Sequence, residues 1–374
     1  MRATPTPHVP AVKGGRFVTL GAALLLALLF AALPGAAGSA VEITILHDTH
    51  LHGNFGDDEL SIAHYAALVN RIRSQKPNTL FLGSGDDLAP ALISTFFKGE
   101  QMVAALNAAG LDFDTYGNHD FDHGPENLLE RVAQSEFTWV SANVIDRRTG
   151  DVFGKEQGAL RYALVDIGGV RIAVTGIAPW DTAALSKPGE NVLILDPAQA
   201  LAALVPEMRK QASIVVVLSH ESWIFTEMIA ASVPGIDVFV GDHSAQVLPR
   251  PNVIGGALVS RVGDNLDYLG ELTLKVEDGA IVDWEFTMHD LRALIEAGEL
   301  YPDVRVQRVV DRYNNLALSS LGEVVGYTRT PLDARNDAVR RGETGLGNFV
   351  ADALREWAGA DIAIMNGGGL RGNR

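Results

Sequence analysis

An α/β fold is predicted by three features of this 374-residue sequence. Apolar, β-branched runs alternate with stretches of helical periodicity, the order of elements that builds a sheet covered by helices. Five of those runs end in short polar segments rich in Asp, His and Asn. Cysteine is absent, so no disulfide framework can stand in for a packed core.

The elements follow in order. Arg2, Lys13 and Arg16 precede an apolar stretch from Phe17 to Leu33, and small residues follow up to Gly38-Ser39-Ala40. Residues 1–40 read as a secretory signal peptide cut near Ala40. A retained anchor is the alternative, but the stretch is short for a membrane span. No cysteine follows it, which excludes lipoprotein attachment. The protein is therefore expected to be secreted or periplasmic, with no stable span after cleavage.

Strands are predicted at Val41–His47, Thr79–Gly83, Phe113–Tyr116, Thr138–Ala142, Tyr162–Ile167, Val170–Ile177, Ile214–Leu218 and Ile236–Val240. Helical patterns at Ile62–Arg73, Gln101–Ala109, Pro125–Gln134 and Pro197–Gln211 lie between several of them. Gly168-Gly169 reads as a hairpin turn, and Glu277-Asp278-Gly279 as a second one between Leu269–Val276 and Ala280–Phe286. A helix from about Val304 to Leu321 is charged on one side and reads as a connection. A new unit begins near Gly322, with a helix at Gly347–Ala358, a strand at Asp361–Met365 and the loop Asn366–Leu370. The chain stops at Arg374, so this second domain is expected to be incomplete.

The formal charge is −16. Residues 1–40 carry three positive and no negative side chains, which leaves −19 on the rest. That charge argues against a nucleic-acid duplex as partner, because phosphate-backbone binding needs a basic surface. It does not exclude a small phosphorylated substrate, since bound cations would reverse the local field.

The five run-end segments are Asp48-Thr49-His50, Gly85-Asp86, Gly117-Asn118-His119-Asp120, Ser219-His220 and Gly241-Asp242-His243. Open α/β sheets place their sites at such exits. Without cysteine, a metal must sit on His, Asp, Glu, Asn or Gln, which suits Zn, Mn, Fe or Mg. Asp48 and His50, two apart in an extended segment, can turn toward one ion, and Asp86 can bridge two. Asn118 offers an amide oxygen, and His220 and His243 complete a second coordination shell. His119 is placed to face a substrate. Two divalent ions about 3.5–4 Å apart clamp the attacking and leaving oxygens of a displacement at phosphorus, with a bridging hydroxide as nucleophile. Each segment alone has an ordinary structural explanation, such as a turn or a cap. Their joint order does not.

These segments resemble the calcineurin-like metallophosphoesterases, in the branch of secreted 5'-nucleotidases, UDP-sugar hydrolases and 2',3'-cyclic-nucleotide phosphodiesterases. Gly117-Asn118-His119-Asp120-Phe121-Asp122 and Val216-Val217-Leu218-Ser219-His220 carry the likeness. Gly345-Leu346-Gly347-Asn348 and Asn366-Gly367-Gly368-Gly369-Leu370-Arg371 resemble the start of that branch's nucleotide-binding domain. The resemblance implies a four-layer α-β-β-α catalytic sandwich at residues 41–290, a linker helix at 291–321 and an incomplete C-terminal domain at 322–374. It implies Asp48 and His50 on a first ion, Asp86 bridging, and Asn118, His220 and His243 on a second. His119 would stabilise the transition state or protonate the leaving oxygen, held by Asp120. Asn366 and Arg371 would contact a nucleotide.

The sequence departs from that pattern in three places. A family His or Gln that completes the first ion's shell is replaced by Ala245, so Gln246 or His52 is expected to substitute. An arginine expected six residues before Asn348 is Gly342, with Arg340 and Arg341 just upstream. The aromatic pair that sandwiches the base in the family lies beyond the Asn-Gly-Gly-Gly loop. The expected activity is hydrolysis of phosphate esters of nucleotides. The alternatives are a cyclic-nucleotide or nucleotide-sugar phosphodiesterase, or a relative that binds ligand without turnover. Trp180 and Trp223 follow strand exits and are expected to pack in the core, with a place flanking the site as the alternative.

Overall fold

The computed structural model of the chain describes residues 40–370 apart from 49, 58, 322 and 323. The predicted leader and Arg371 lie outside the described residues.

Early strands are β1 (Val41–His47), β2 (Thr79–Leu82), β3 (Phe113–Asp114), β4 (Thr138–Trp139) and β5 (Val144–Asp146). The middle of the chain forms β6 (Ala163–Ile167), β7 (Val170–Ile177), β8 (Val192–Ile194), β9 (Ile214–Ser219) and β10 (Val238–Val240). There follow β11 (Asn252–Ile254), β12 (Ala257–Ser260), β13 (Tyr268–Glu277) and β14 (Ala280–Asp290). One six-stranded sheet has the order β14-β13-β1-β2-β3-β4, and a second the order β11-β12-β10-β9-β7-β6. β5 and β8 form a separate antiparallel pair.

Period-two alternation sorts the apolar side chains between layers, because successive strand residues face opposite ways. In β1 and β2, Ile43, Ile45, Leu80 and Leu82 point to a core that also holds Ile172, Val216, Leu218 and Val240 of the second sheet. That core is the seam between the sheets. Leu46 and Phe81 point the other way, onto the helices Ile62–Gln75 and Glu100–Ala109. Val215, Val217 and Phe239 likewise leave the seam and pack under Pro197–Arg209 and Trp223–Ser232. The result is mixed α/β, with helices outside two facing sheets.

Both glycine-turn hairpins form, β6–β7 and β13–β14, each antiparallel. The helix Val304–Leu321 lays Val306, Val310 and Tyr313 into the core beneath the first sheet's helices, and Tyr313 Oη donates to Glu100 at 2.7 Å. Two expectations fail. Residues 361–365 are not a strand: among the described residues no neighbouring segment pairs with them, and extended chain without a ladder is not a sheet. Trp180 and Trp223 are not core residues; they are 56% and 39% exposed. Each follows a strand end, where the chain has already left the packed layers. The described residues contain no helix long and apolar enough to cross a membrane.

Trp139 shows what the core contributes to stability. It is 1% exposed, stacks on Tyr116 at 5.0 Å, and donates its indole N–H to Ser135 Oγ. Trp139→Ala is expected to lower unfolding free energy by about 3–5 kcal/mol, from lost transfer energy plus the cavity left behind. Urea denaturation checks this, and a loss below about 1 kcal/mol would mean the site collapses freely.

Candidate metal centre

The parallel strands β1, β2 and β3 of one sheet and β9 and β10 of the other deliver their exit residues to the same end of the sandwich. Five imidazoles meet there. Ring centroids run from His119 to His52 at 5.7 Å, His52 to His50 at 4.4 Å, His50 to His220 at 5.5 Å and His220 to His243 at 5.2 Å. Every step is edge-to-face. Rings this close cannot all carry protons without mutual repulsion. The His50 pKa is held well below its usual value by burial and by neighbouring histidines, and that of His243 is lowered by burial and His220.

Asp86 sits in their midst, 1% exposed. Its Oδ2 lies 2.9 Å from His220 Nε2 and 4.0 Å from His52 Nε2, and its Oδ1 accepts the His119 backbone N–H at 2.6 Å. Burial pushes the Asp86 pKa up, but the adjacent His220, with His119 and His52, holds it well below the usual carboxylate range. Burial alone would lower the His220 pKa, but the Asp86 carboxylate raises it to about 9. His220 Nδ1 is fixed on the Ser84 carbonyl at 2.8 Å, so Nε2 is the atom presented to Asp86 and to His243 Nδ1 at 3.3 Å.

Backbone geometry is set for this approach. A Cβ on Gly117 would lie 2.1 Å from Asp86 Oδ1, so only glycine lets the two exits close. Among the described residues, six that are not glycine have positive φ, and four of them, His52, Asp86, Ala245 and Asn265, are at this site. Such conformations cost of order 1–3 kcal/mol each and persist where the surroundings over-determine them.

Three groups of side chains bring ligand atoms within 4.8 Å of one another: Asp86, His220 and His243; His52, Asp86 and His119; and His50, His52 and Asp264. A divalent ion fits the chemistry of these donors. Both oxygens of Asp48, His50 Nδ1 and Asn118 Oδ1 are buried without a hydrogen-bond partner. Burying such atoms unpaired is costly, and a cation satisfies acceptor atoms that no N–H or O–H reaches.

The expected residues fall as follows. His50, Asn118, His119 and His243 line one cavity of about 840 Å³, and Asp86 and His220 lie against them. Asp48 is fully buried and belongs to none of the three groups. Burial and the nearby Asp114 raise its pKa well above normal. Gln246 is exposed and does not line the cavity; its backbone N–H is bonded to Asp242. Arg340, Arg341 and Asn366 reach the same cavity from the C-terminal segment. Asn366 Oδ1 accepts the Gly368 N–H, which turns it onto its own loop.

The partner expected for His119 is corrected. His119 Nδ1 bonds Asp122 Oδ2 at 2.7 Å. Asp120 is instead fully committed to the backbone, accepting N–H groups of Asp86, Leu88 and Gly117. The single helical turn His119–Phe121 places residue i+3, not i+1, beside the ring. Asp122 was legible as an i+3 carboxylate. Asp264 gave no signal, since it lies in a turn far along the chain.

Comparison with known proteins agrees with this picture. A family model described as the 5'-nucleotidase C-terminal domain matches residues 324–374. The chain is 28% identical over 397 residues to the 5'-nucleotidase of Mus musculus, covering 93% of this chain and 67% of that protein. It is 27% identical over 367 residues to the trifunctional nucleotide phosphoesterase protein YfkN of Bacillus subtilis (strain 168), covering 88% of this chain but only 25% of that one. The fold is similar to the crystal structure of a 5'-nucleotidase precursor from Thermus thermophilus, with TM-score 0.74 and 25% identity over 85% of this chain and 68% of that one. The matched C-terminal segment and these relatives support a likeness to the 5'-nucleotidases and calcineurin-like phosphoesterases, in keeping with the histidine and aspartate exits.

Proposed function

We propose that the chain hydrolyses phosphate esters of nucleotides, in the manner of a 5'-nucleotidase, with two divalent ions of the Zn, Mn, Fe or Mg class. The observation that carries this is one cavity lined both by side chains of metal-ligand type and by two arginines. Two bound ions would supply a hydroxide nucleophile and charge compensation at phosphorus. Asp86 would be shared by the two ions, with Asp48 and His50 toward one and Asn118, His220 and His243 toward the other. Asp122 fixes Nδ1 of His119, so proton transfer to the leaving oxygen falls to Nε2. Arg340 and Arg341 bind the phosphate, because a guanidinium forks onto phosphate oxygens. Residues 41–290 then form the catalytic domain, 291–321 the linker, and 322–374 the nucleotide-contacting segment with Asn366 and Arg371. Export through residues 1–40 would place the enzyme outside the cytoplasm.

The test is hydrolysis of 5'-AMP and of bis-p-nitrophenyl phosphate with added Mn²⁺ or Zn²⁺. Metal-dependent release from AMP supports the nucleotidase reading. Release from the diester alone would favour the phosphodiesterase alternative. No release from a folded, metal-loaded chain would leave ligand binding without turnover. Arg340→Ala and Arg341→Ala are each expected to raise KM for AMP by roughly 10- to 100-fold, the loss of a charge-assisted hydrogen bond. Their kcat should change far less, and steady-state kinetics would show it. An unchanged KM in both would remove the arginines from the site.

A further inference from the structure

The geometry points to His50, His52 and Asp264 as the seat of the first of the two cations in this chain, with His52 and Asp264 standing where Ala245 has no donor to offer. This rests on the two-metal reading above. His52 Nδ1 lies 4.0 Å from Asp264 Oδ2, and the His52 ring meets His50 edge-on at 4.4 Å between centroids. Ligand atoms of all three fall within 4.8 Å of one another. Donors bound to one Zn²⁺ at about 2.0–2.2 Å stand somewhat closer than that, so a small inward movement completes the shell.

A second observation is independent of that clustering. His50 is 1% exposed, and its Nδ1 is buried with no hydrogen-bond partner. The backbone also brings the third group in. Asn265 N–H donates to the His50 carbonyl at 2.8 Å, which ties the Asp264 turn to the β1 exit. His52 N–H donates to the Asp86 carbonyl at 2.8 Å, which holds His52 at its positive φ of 55°. Two imidazoles and the Asp264 carboxylate, beside the shared Asp86, form a nitrogen and oxygen donor set of the kind zinc binds. Gln246, exposed and off the cavity, is displaced from this role.

Zinc stoichiometry and affinity of the full chain decide the matter, measured by equilibrium dialysis with elemental analysis, beside diester hydrolysis by the unmodified protein. Asp264→Ala tests the carboxylate. His52→Gly tests the imidazole and keeps the left-handed backbone accessible. The unmodified chain is expected to hold two ions, and each variant to weaken one of them at least about 100-fold, since even outer partners of ligands contribute 10- to 100-fold. Gln246→Ala is expected to keep both. Circular dichroism confirms that each variant is folded, and Asp264→Glu should recover part of the affinity. If both variants keep two tightly bound ions while the unmodified chain hydrolyses the diester, the assignment fails and the phosphoesterase reading stands. If the unmodified chain binds no ion and hydrolyses nothing, both fail together.

Discussion

Asp86→Asn is expected to lower kcat/KM by about 10³-fold or more, the loss implied by several kcal/mol of charge stabilisation. It should also cost the protein divalent metal. The substitution is chosen for its backbone: Asp86 has φ of 59°, and Asn tolerates the left-handed region better than other replacements that carry a side chain. What changes is charge. Asp86 is the one carboxylate among the described residues that lies beside His220, faces His52 and accepts the His119 N–H. An amide there removes the anion shared by two of the three ligand groups. His220 then loses the partner that raises its pKa to about 9. Its folded pKa should fall, so in the ion-free protein the stability it contributes below its unfolded pKa is reduced. Metal analysis and AMP hydrolysis on the same preparation give the result. Full metal content with full activity would show that Asp86 does not bridge.

The second large effect is expected at His119. His119→Ala should reduce kcat by about 10²–10⁴-fold, the range for a positioned general acid or base. Metal content should be nearly retained, since the grouping of Asp86, His220 and His243 survives without it. Asp122→Asn should cost less, about 10- to 100-fold, because it acts through the ring it orients. The pH profile separates the two roles. Loss of His119 should flatten the alkaline limb of kcat. Loss of Asp122 should instead move that limb to lower pH, since the carboxylate beside Nδ1 favours the protonated ring. Equal losses of metal and activity in His119→Ala would make the residue a ligand instead of an acid.

Much of this was legible because strands announce themselves. Runs such as Ile214–Leu218 are apolar at every position, as a strand buried on both faces must be, and Gly168-Gly169 marked a hairpin that forms. The polar residues at the exits stood out for the same reason. Asp, His and Asn after a buried strand have no packing role, and the fold brings His50, Asn118, His119 and His243 to one cavity. The reading failed where a side chain's partner is set by a turn or by a distant loop. Asp120 and Asp122 are equally plausible partners on paper, and only the single helical turn decides between them. Trp180 and Trp223 looked like core residues because aromatics usually are, but both lie past strand ends.

The sequence by itself determined the fold class, the order of most strands and helices and the identity of the ligand-type side chains, because periodicity and residue chemistry are local properties. Tertiary structure alone decided which of those side chains meet. Asp264 reaches His52 only because the turn after β12 is hydrogen-bonded to the exit of β1, and Arg340 shares a cavity with the histidines only because the C-terminal segment returns to that end of the sandwich. Contacts between residues hundreds of positions apart follow from how layers stack and loops close, and no local pattern encodes them.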